Sequence, residues 1–316
     1  MRKSIHYIIV FIFLALIVSC TKEDGITPNW PRKADLPGYG REYAASFSIG
    51  SKGYLGTGEN GSYMKDLWEY DPATNNWTQK ADFGGNPRAF TTGFSVGAKG
   101  YIGFGYDGLN YRGDMWEYDP ATNSWLQKAI FPSAARSGVS AFVIGDKAYV
   151  GTGYSASPTA TWYKDLWEFY PDSNTWKQKT NFPGTSRSFC CTFPLGAKGY
   201  LGLGYSGQYN SDFYEYDPVS NAWVSRTACP LPIAYAASFP AGGKGYVSTG
   251  RSGNSYLADT YEFDPTANAW TKKVDFTGTS RYAATGFSVN GRGYVATGYD
   301  GTAGGAYTKS MFEYWP

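Results

Sequence analysis

The sequence predicts an all-β fold, a six-bladed β-propeller with four antiparallel strands in each blade. A repeat runs along the chain: from Trp30 onward, a tryptophan returns after 47, 48, 51, 47 and 47 residues. No stretch shows the periodicity of apolar residues that is typical of a helix. Aromatic residues make up 18% of the chain and charged residues only 17%, as expected where sheets pack face to face. Radial arrays of four-stranded sheets are the usual fold for such a repeat.

Residues 1–19 are predicted to be a signal peptide. A short basic segment precedes an uncharged apolar run from Ile8 to Val18, which is too short to span a bilayer comfortably as a helix. The run ends at Cys20, directly after Ser19, and this junction resembles the lipobox of bacterial lipoproteins. The resemblance implies that Cys20 is lipidated and begins the mature chain. The alternatives are an ordinary signal peptide with an incidental cysteine, or an N-terminal membrane anchor.

Residues 20–28 are predicted to be the lipidated cysteine and a polar tether. The segment Thr21-Lys22-Glu23-Asp24 resembles the export tag of surface lipoproteins in the Bacteroidetes lineage. The alternative interpretation is a solvated linker. The prediction is therefore a protein attached to the outer membrane by lipid and exposed at the cell surface, with the periplasmic face as the alternative location.

Charge and histidine content exclude several classes of function. Removal of the signal peptide takes away Arg2 and Lys3, so that 28 basic residues become 26, against 26 acidic residues. A neutral chain is not expected to bind nucleic acid, because such binding depends on an excess of Lys and Arg. The one histidine, His6, lies in the signal peptide. The mature chain therefore cannot build a copper oxidase site or a His-dependent hydrolase, and no metal site or cofactor is predicted.

Three cysteines remain in the mature chain besides Cys20: Cys190, Cys191 and Cys229. An odd number does not make a complete disulfide framework. Cys229 stands where another copy of the repeat has Phe83, which indicates a position in the core. All three are predicted to be buried apolar residues, and the propeller is predicted to be a monomer.

Each copy of the repeat reads as four short strands separated by turn residues, and residues 29–316 are predicted to form the propeller. In the first copy, the predicted strands are Ala44–Ile49, Tyr54–Gly58, Asp66–Tyr70 and Asn76–Lys80. Gly50-Ser51 and the segment from Asp71 to Asn75 supply the turns. Asp71 and its counterparts are interpreted as turn residues rather than as ligands of a metal loop.

The repeat resembles the kelch repeat. In most copies an apolar strand contains Lys/Arg-Gly-Tyr, as in Lys52-Gly53-Tyr54, and two glycines follow, such as Gly56 and Gly58, before the tryptophan. The adjacent Gly-Gly of the family is Gly-x-Gly here. The resemblance covers residues 30–316 and implies a kelch propeller that is similar to galactose oxidase in fold only.

The two ends of the chain are predicted to share one blade. The last copy stops at Phe312–Pro316, after a third strand and without a fourth. The segment from Asn29 to Lys33 matches an isolated fourth strand, because Trp30 precedes Arg41 by the same spacing that separates Trp77 from Arg88. The N-terminal strand is therefore expected to complete the sixth blade and to close the ring.

One face is predicted to carry the functional site. Strands alternate in direction, so the loops between the second and third strands emerge on the same face as the connections between blades. These loops have 7, 8, 11, 7, 8 and 11 residues, whereas the loops of the other face are short and uniform. Length and variation mark the first face as the functional one.

Two rings of side chains are expected to rim the mouth of the central channel on this face. The first ring stands at the start of the inner strands: Arg41, Arg88, Arg136, Arg187 and Arg281. The second ring follows the second strands: Tyr106, Tyr154, Tyr205 and Tyr299. The fifth copy has Ile233 in the arginine position and Arg251 in the tyrosine position, and the first copy has Glu59 in the tyrosine position. The alternative is an architectural ring in which the arginines pair with the glutamates of the third strands: Glu69, Glu117, Glu168, Glu215, Glu262 and Glu313.

Three functions fit these features. The first is binding of an anionic glycan or an acidic peptide, because guanidinium groups bind carboxylates and tyrosines offer apolar faces with a polar edge. The positions resemble those by which kelch propellers of the eukaryotic sensor type hold acidic peptides. They also resemble the pocket of bacterial kelch mutarotases that act on sialic acid, which implies a second function, a sugar mutarotase or epimerase with Glu42 or Glu59 as acid or base. The third is a docking scaffold for another envelope protein.

Overall fold

The computed structural model describes residues 29–301 and 304–316, and they form a six-bladed β-propeller. Each blade is one four-stranded antiparallel sheet, and the blades are numbered 1 to 6 along the chain. None of the described residues is helical, so this part of the chain contains no helix long and apolar enough to cross a membrane. The predicted fold class is confirmed. The predicted signal peptide and the lipidated Cys20 lie outside the described residues.

The strands of each blade follow one another outward from the central axis. The inner strands are Ala45–Ile49, Thr92–Val96, Ser140–Ile144, Cys191–Leu195, Ala237–Ala241 and Thr285–Val289. The second strands are Lys52–Gly56, Lys99–Gly103, Lys147–Gly151, Lys198–Gly202, Lys244–Ser248 and Arg292–Ala296. The third strands are Leu67–Asp71, Met115–Asp119, Leu166–Tyr170, Phe213–Asp217, Thr260–Asp264 and Met311–Tyr314. The outer strands are Asn76–Lys80, Ser124–Gln127, Thr175–Lys179, Ala222–Arg226, Ala269–Lys272 and Arg32–Lys33.

The N-terminal strand completes blade 6, as predicted. Arg32–Lys33 pairs antiparallel with Met311–Tyr314, with Arg32 opposite Phe312. Just before this strand, Trp30 is only 1% exposed. Its ring packs edge-on against Phe276, with the ring centroids 5.2 Å apart. The first and the last strand of the described residues therefore belong to one sheet, which closes the ring without a covalent bond.

A ring of backbone hydrogen bonds joins each blade to the next. The amide of Gly58 in blade 1 donates to the carbonyl of Arg88 at the start of blade 2, at 2.9 Å. The same bond recurs around the molecule, and the bond from Gly298 to Arg41, at 2.7 Å, joins blade 6 to blade 1. Gly58 has a φ of 96°, which residues with a side chain rarely adopt. This geometry explains the second glycine of the Gly-x-Gly pattern and ends the second strand at Gly56, two residues earlier than predicted.

The Asn-x-Trp segments of blades 1 to 5 each hold the preceding blade. Asn123 has a left-handed backbone, with φ of 50°, and its side-chain oxygen accepts a hydrogen bond from the amide of Ala81 at 2.9 Å. Two residues later, the indole Nε1 of Trp125 donates to the carbonyl of the same Ala81 at 3.0 Å. Ala81, which follows the outer strand of blade 1, is thus hydrogen-bonded at both its amide and its carbonyl group. The tryptophan therefore joins neighbouring blades.

The cysteines lie in and beside the core. Cys191 and Cys229 are buried in one hydrophobic cluster, and Cys229 replaces the phenylalanine of other blades as expected. Cys190 departs from the prediction because it is only partly buried, beside the central channel. All three are free thiols.

Candidate functional site

The five arginines predicted to rim the mouth lie inside the blades instead. Arg41, Arg88, Arg136, Arg187 and Arg281 are each at most 2% exposed. Four of them form bidentate ion pairs with an aspartate just before the third strand of their own blade: Asp66, Asp114, Asp165 and Asp212. The arginine side chains are therefore unavailable to a ligand, and their predicted place at the mouth is corrected.

The aspartate partner is held in its charged form. Burial by itself would raise the pKa of Asp114, but hydrogen bonds and the charge of Arg88 lower it below its ordinary value. The indole of Trp116 donates a further hydrogen bond to the same carboxylate at 2.9 Å. Arg88 also donates to the carbonyls of Asn86 and Phe104 and lies over the ring of Phe83. The guanidinium thus joins the segments that surround it within one blade.

The third-strand glutamates have other partners than the arginines. The hydroxyl of Tyr101 donates to Glu117 at 2.7 Å, and Lys128 of the outer strand pairs with the same carboxylate at 3.1 Å. Equivalent Tyr–Glu hydrogen bonds occur in all six blades. The arginines thus have the architectural role that was the alternative, but their partners are the aspartates before the third strands and not the third-strand glutamates.

The second predicted ring does reach the mouth. Tyr106, Tyr154 and Tyr205 are half-buried side chains that line its largest cavity. Each pairs through its backbone with the residue that follows the buried arginine position, as in the bridge between Ser188 and Tyr205. Tyr299 and Arg251 take the same position in blades 6 and 5, on the same face, but outside the lining of this cavity.

A third ring of aromatic side chains was not anticipated from the sequence. Every blade carries one in the loop after the second strand: Tyr63, Tyr111, Trp162, Tyr209, Tyr256 and Tyr307. Each pairs with the tyrosine position of its own blade, and the rings of Tyr154 and Trp162, for example, have centroids 5.0 Å apart. The signal was present, since an aromatic residue always stands three positions before the aspartate or serine that precedes the third strand.

Four further aromatic rings close the central channel below this mouth. Two residues after each buried arginine position, the backbone is left-handed, with φ between 53° and 59°. At these positions stand Tyr43, Phe90, Gly138, Phe189, Tyr235 and Ala283. The rings of Tyr43 and Phe90 have centroids 4.1 Å apart, and those of Phe189 and Tyr235 are 4.6 Å apart. The left-handed turn directs these rings toward the axis, where they form a floor.

The mouth is therefore a blind pocket with an aromatic floor. Its cavity measures about 480 Å³. It is lined by Tyr43, Glu59, Tyr63, Phe90, Tyr106, Tyr111, Ser137, Tyr154, Trp162, Ser188, Phe189, Tyr205 and Tyr235. Aromatic faces, hydroxyl groups and one carboxylate converge on a volume that is typical of small-molecule sites.

Comparison with known proteins agrees with this architecture. No protein-family model and no curated protein matches the chain. Among solved structures, that of YjhT matches with a TM-score of 0.74 at 18% sequence identity, and the match covers 89% of this chain and 96% of that chain. The fold is a kelch-like β-propeller. At this level of identity the likeness concerns the fold alone.

Two carboxylates stand at the blade 1 side of this kelch-like mouth. Glu59 lines the cavity, and burial raises its pKa. Glu42 is only 7% exposed, and its Oε2 atom has no hydrogen-bond partner among the described residues. Burial and the nearby charge of Glu59 raise the pKa of Glu42 to about 7, although a hydrogen bond from Tyr282 acts in the opposite direction. The two acid–base candidates named from the sequence therefore lie together at the site.

The opposite charge at the mouth comes from Arg251. This side chain is half-buried, its Nε donates to the carbonyl of Gly253 at 3.0 Å, and its guanidinium lies 5.7 Å from the ring centre of Tyr256. Blade 6 separates it from the two glutamates of blade 1. In the described part of the chain, no group of three or more His, Cys, Asp or Glu side chains could hold a metal ion.

Proposed function

We propose that this protein is a non-enzymatic binding propeller that holds a carbohydrate in its aromatic mouth. The observation that carries the proposal is the blind cavity of about 480 Å³, with aromatic rings on its floor and around its wall. A sugar ring has apolar faces and hydroxyl edges. Tyrosine matches both, because its ring is apolar and its hydroxyl group forms hydrogen bonds.

In this proposal, Arg251 binds the acidic group of the ligand. The hypothesis of an anionic glycan or acidic peptide began with five arginines that are now buried in ion pairs. Arg251 remains, and a guanidinium binds a carboxylate or sulfate through paired hydrogen bonds. An acidic peptide is less favoured than a glycan, since Arg251 alone of the arginines predicted for the mouth is not enclosed, and one guanidinium offers little to a ligand with several charges.

Titration calorimetry tests the proposal. The mature domain is titrated with neutral, uronic, sialylated and sulfated oligosaccharides. The double variant Tyr106→Ala, Tyr205→Ala is expected to lose at least about 2 kcal/mol of binding free energy, because both stacking faces are removed. Tyr170→Ala is the matched control, because Tyr170 ends a third strand on the opposite face. Absence of heat with every oligosaccharide would exclude the proposal.

The variant Arg251→Ala tests recognition of the acidic group separately from recognition of the sugar. This variant is expected to bind neutral oligosaccharides as the unchanged protein does and to lose its preference for uronic or sialylated ones. Equal affinity of the unchanged protein for neutral and acidic oligosaccharides would remove the anionic part of the proposal.

A sugar mutarotase or epimerase is the second candidate, and the two glutamates favour it. A general acid or base works best with a pKa near the operating pH, and the pKa of Glu42 is about 7. Glu59 faces the cavity and is the residue placed to reach a ligand. Polarimetry on freshly dissolved sugar tests this function. A rate enhancement that disappears in Glu59→Gln would replace the binding proposal by the catalytic one.

We also propose lipid attachment through Cys20, with the mouth directed away from the membrane. The described chain begins at Asn29, whose carbonyl accepts a hydrogen bond from the amide of Trp315 at 3.0 Å. Trp315 follows the third strand of blade 6, at the face opposite the mouth. A tether that leaves from this face keeps the mouth open to large ligands. Protease treatment of intact cells, with Cys20→Ser as the comparison, distinguishes the cell surface from the periplasmic face.

A further inference from the structure

Blade 1 differs from the other blades at one paired position of the mouth. Glu42 and Glu59 face each other in an antiparallel bridge, with backbone hydrogen bonds of 2.9 and 3.0 Å in the two directions. Residues paired in this way have side chains on the same face, with Cβ atoms roughly 5 Å apart. The equivalent pairs are Ala89–Tyr106, Ser137–Tyr154, Ser188–Tyr205, Ala234–Arg251 and Tyr282–Tyr299. Only blade 1 places two acids together there.

The two carboxylates lack a cationic partner within the described residues. Neither Glu42 nor Glu59 forms an ion pair with a lysine or arginine of residues 29–301 and 304–316. The ionisable groups that face Glu42 are Glu59, Tyr43, Tyr282 and Tyr307, and none of them is basic. The Oε2 atom of Glu42 is buried without a hydrogen-bond donor.

Such a pair of carboxylates destabilises the folded protein unless a cation binds to it. A buried acceptor without a donor loses the hydrogen bonds that water would supply. Two neighbouring carboxylates also repel each other when both are charged. A bound protonated amine lowers both costs at once, because it donates to the unpartnered oxygen and its positive charge offsets the repulsion between the carboxylates.

We propose that Glu42 and Glu59 bind a protonated amine of the ligand, so that the preferred ligand is a glycan with a free amino group. This inference rests on the proposed carbohydrate function. An ammonium group has three donors, which two carboxylates and a tyrosine hydroxyl can accept. Tyr43 and Tyr63 add ring faces that attract a cation. A hard divalent metal would need six or more oxygen ligands, which this pair does not supply.

The position of Arg251 gives the mouth two charged sides. The glutamate pair lies on blade 1 and the guanidinium on blade 5, with the aromatic floor between them. A sugar with an amine at one end and an acidic group at the other end can bind both sides while its rings lie on the floor. The amine subsite is independent of the acid subsite, because no residue belongs to both.

The test compares two oligosaccharide series of equal length by titration calorimetry at neutral pH. One series is made of deacetylated glucosamine units, which carry free amines, and the other of N-acetylglucosamine units, which carry none. The unchanged protein is expected to prefer the deacetylated series by at least about tenfold. Glu59→Gln and Glu42→Gln are expected to abolish that preference, so that each variant binds the two series with equal affinity.

The control variant is Asp146→Asn. It removes one carboxylate from the opposite face and should preserve the preference for the deacetylated series. Thermal unfolding confirms that each variant is folded, and the half-buried Glu59 is the safer position if Glu42→Gln does not fold. Equal binding of both series by the unchanged protein overturns the amine subsite while the proposed function stands. Absence of binding to both also overturns the amine subsite, and the wider titration with neutral, uronic, sialylated and sulfated oligosaccharides then decides the proposed function separately. Binding of CaCl₂ alone, lost in Glu59→Gln, overturns the amine assignment in favour of an inorganic cation.

Discussion

The buried arginine of five of the six repeats shows how a charged residue can serve packing. Arg88 is 1% exposed, and its guanidinium contacts the carboxylate of Asp114, two backbone carbonyls and the ring of Phe83. Arg281 is the exception, because Ser310 replaces the aspartate and the guanidinium donates to Thr308 and Ser310 instead. Burial lowers the pKa of Arg281 to about 10. A buried cation is tolerated only where its donors are satisfied.

Removal of one such arginine should affect stability rather than ligand binding. Arg88→Ala leaves the carboxylate of Asp114 without its cation, and a loss of about 3 kcal/mol in the free energy of unfolding is expected. Lys65→Ala is the control, because Lys65 forms an exposed ion pair with Asp82, for which a loss below about 1 kcal/mol is expected. Urea unfolding measures both. Equal losses in the two variants would contradict the structural role of Arg88.

Glu42 should make stability depend on pH. Its pKa is about 7 in the folded protein and 4.5 as an ordinary glutamate, so the folded state binds more protons between these values. The contribution of Glu42 is therefore absent at low pH and becomes destabilising as the pH rises from about 4.5 to about 7, by up to roughly 3 kcal/mol. Glu42→Gln should gain stability relative to the unchanged protein at about pH 8 but not at about pH 4. Urea unfolding at both pH values checks the sign, and a gain confined to low pH would contradict it.

Neighbouring blades pack through a glycine of the second strand and a phenylalanine of the preceding inner strand. A Cβ atom built on Gly100 would lie 2.1 Å from the ring of Phe47, and one on Gly199 would lie 2.1 Å from the ring of Phe142. Each phenylalanine also stacks on the tyrosine of its own blade, as Phe47 does on Tyr54 with centroids 5.0 Å apart. The Lys-Gly-Tyr segment is therefore a packing surface, in which glycine admits the next ring.

Gly100→Ala should separate blades 1 and 2. The added methyl group overlaps the ring of Phe47, and a loss of roughly 2 kcal/mol in the free energy of unfolding is expected. Blade 3 has Ala148 at the equivalent position, fully buried beside blade 2. The reverse substitution, Ala148→Gly, should lower the free energy of unfolding by only about 1 kcal/mol, because it removes one methyl group. An unchanged unfolding midpoint in Gly100→Ala would show that the blades can move apart at no cost.

Ring closure is the feature of the whole molecule on which the mouth depends. The inner strand of blade 6 contacts that of blade 1 as the other inner strands contact their neighbours. Blade 6 itself needs the two-residue strand Arg32–Lys33 and the buried Trp30. The floor is made by residues from four blades, so opening the ring at one place would separate rings that now touch.

Trp30→Ala should therefore destabilise the entire propeller. A loss of about 3–5 kcal/mol is expected for a large buried aromatic residue, and deletion of residues 26–36 should lower the unfolding midpoint further. Trp270→Ala is the matched control, since Trp270 occupies the same position in blade 5 but is only half-buried. Calorimetric unfolding measures the three variants. A midpoint that does not change after the deletion would refute closure by the N-terminal strand.

The sequence by itself determined the blade number, the closing strand and the face that carries the mouth. These features follow from local signals, such as the Asp-Pro-x-x-Asn turns and the returning Trp77-type residues, which act within one repeat and recur in the next. The tyrosine ring could be placed for the same reason, because Tyr106 and its counterparts directly follow a strand whose end is visible in the sequence.

Only the tertiary structure decided which side chains face the cavity of the mouth. Arg88 and Tyr106 have equally plausible positions along the chain, yet the first is enclosed by Asp114 and Phe83 and the second is open. The floor depends on the left-handed backbone at Tyr43 and Phe90, which is stabilised by a hydrogen bond from the amide of Phe90 to the carbonyl of Tyr43 in the neighbouring blade. The direction of these side chains results from contacts between blades. The residue pattern of a single repeat carries no information about those contacts.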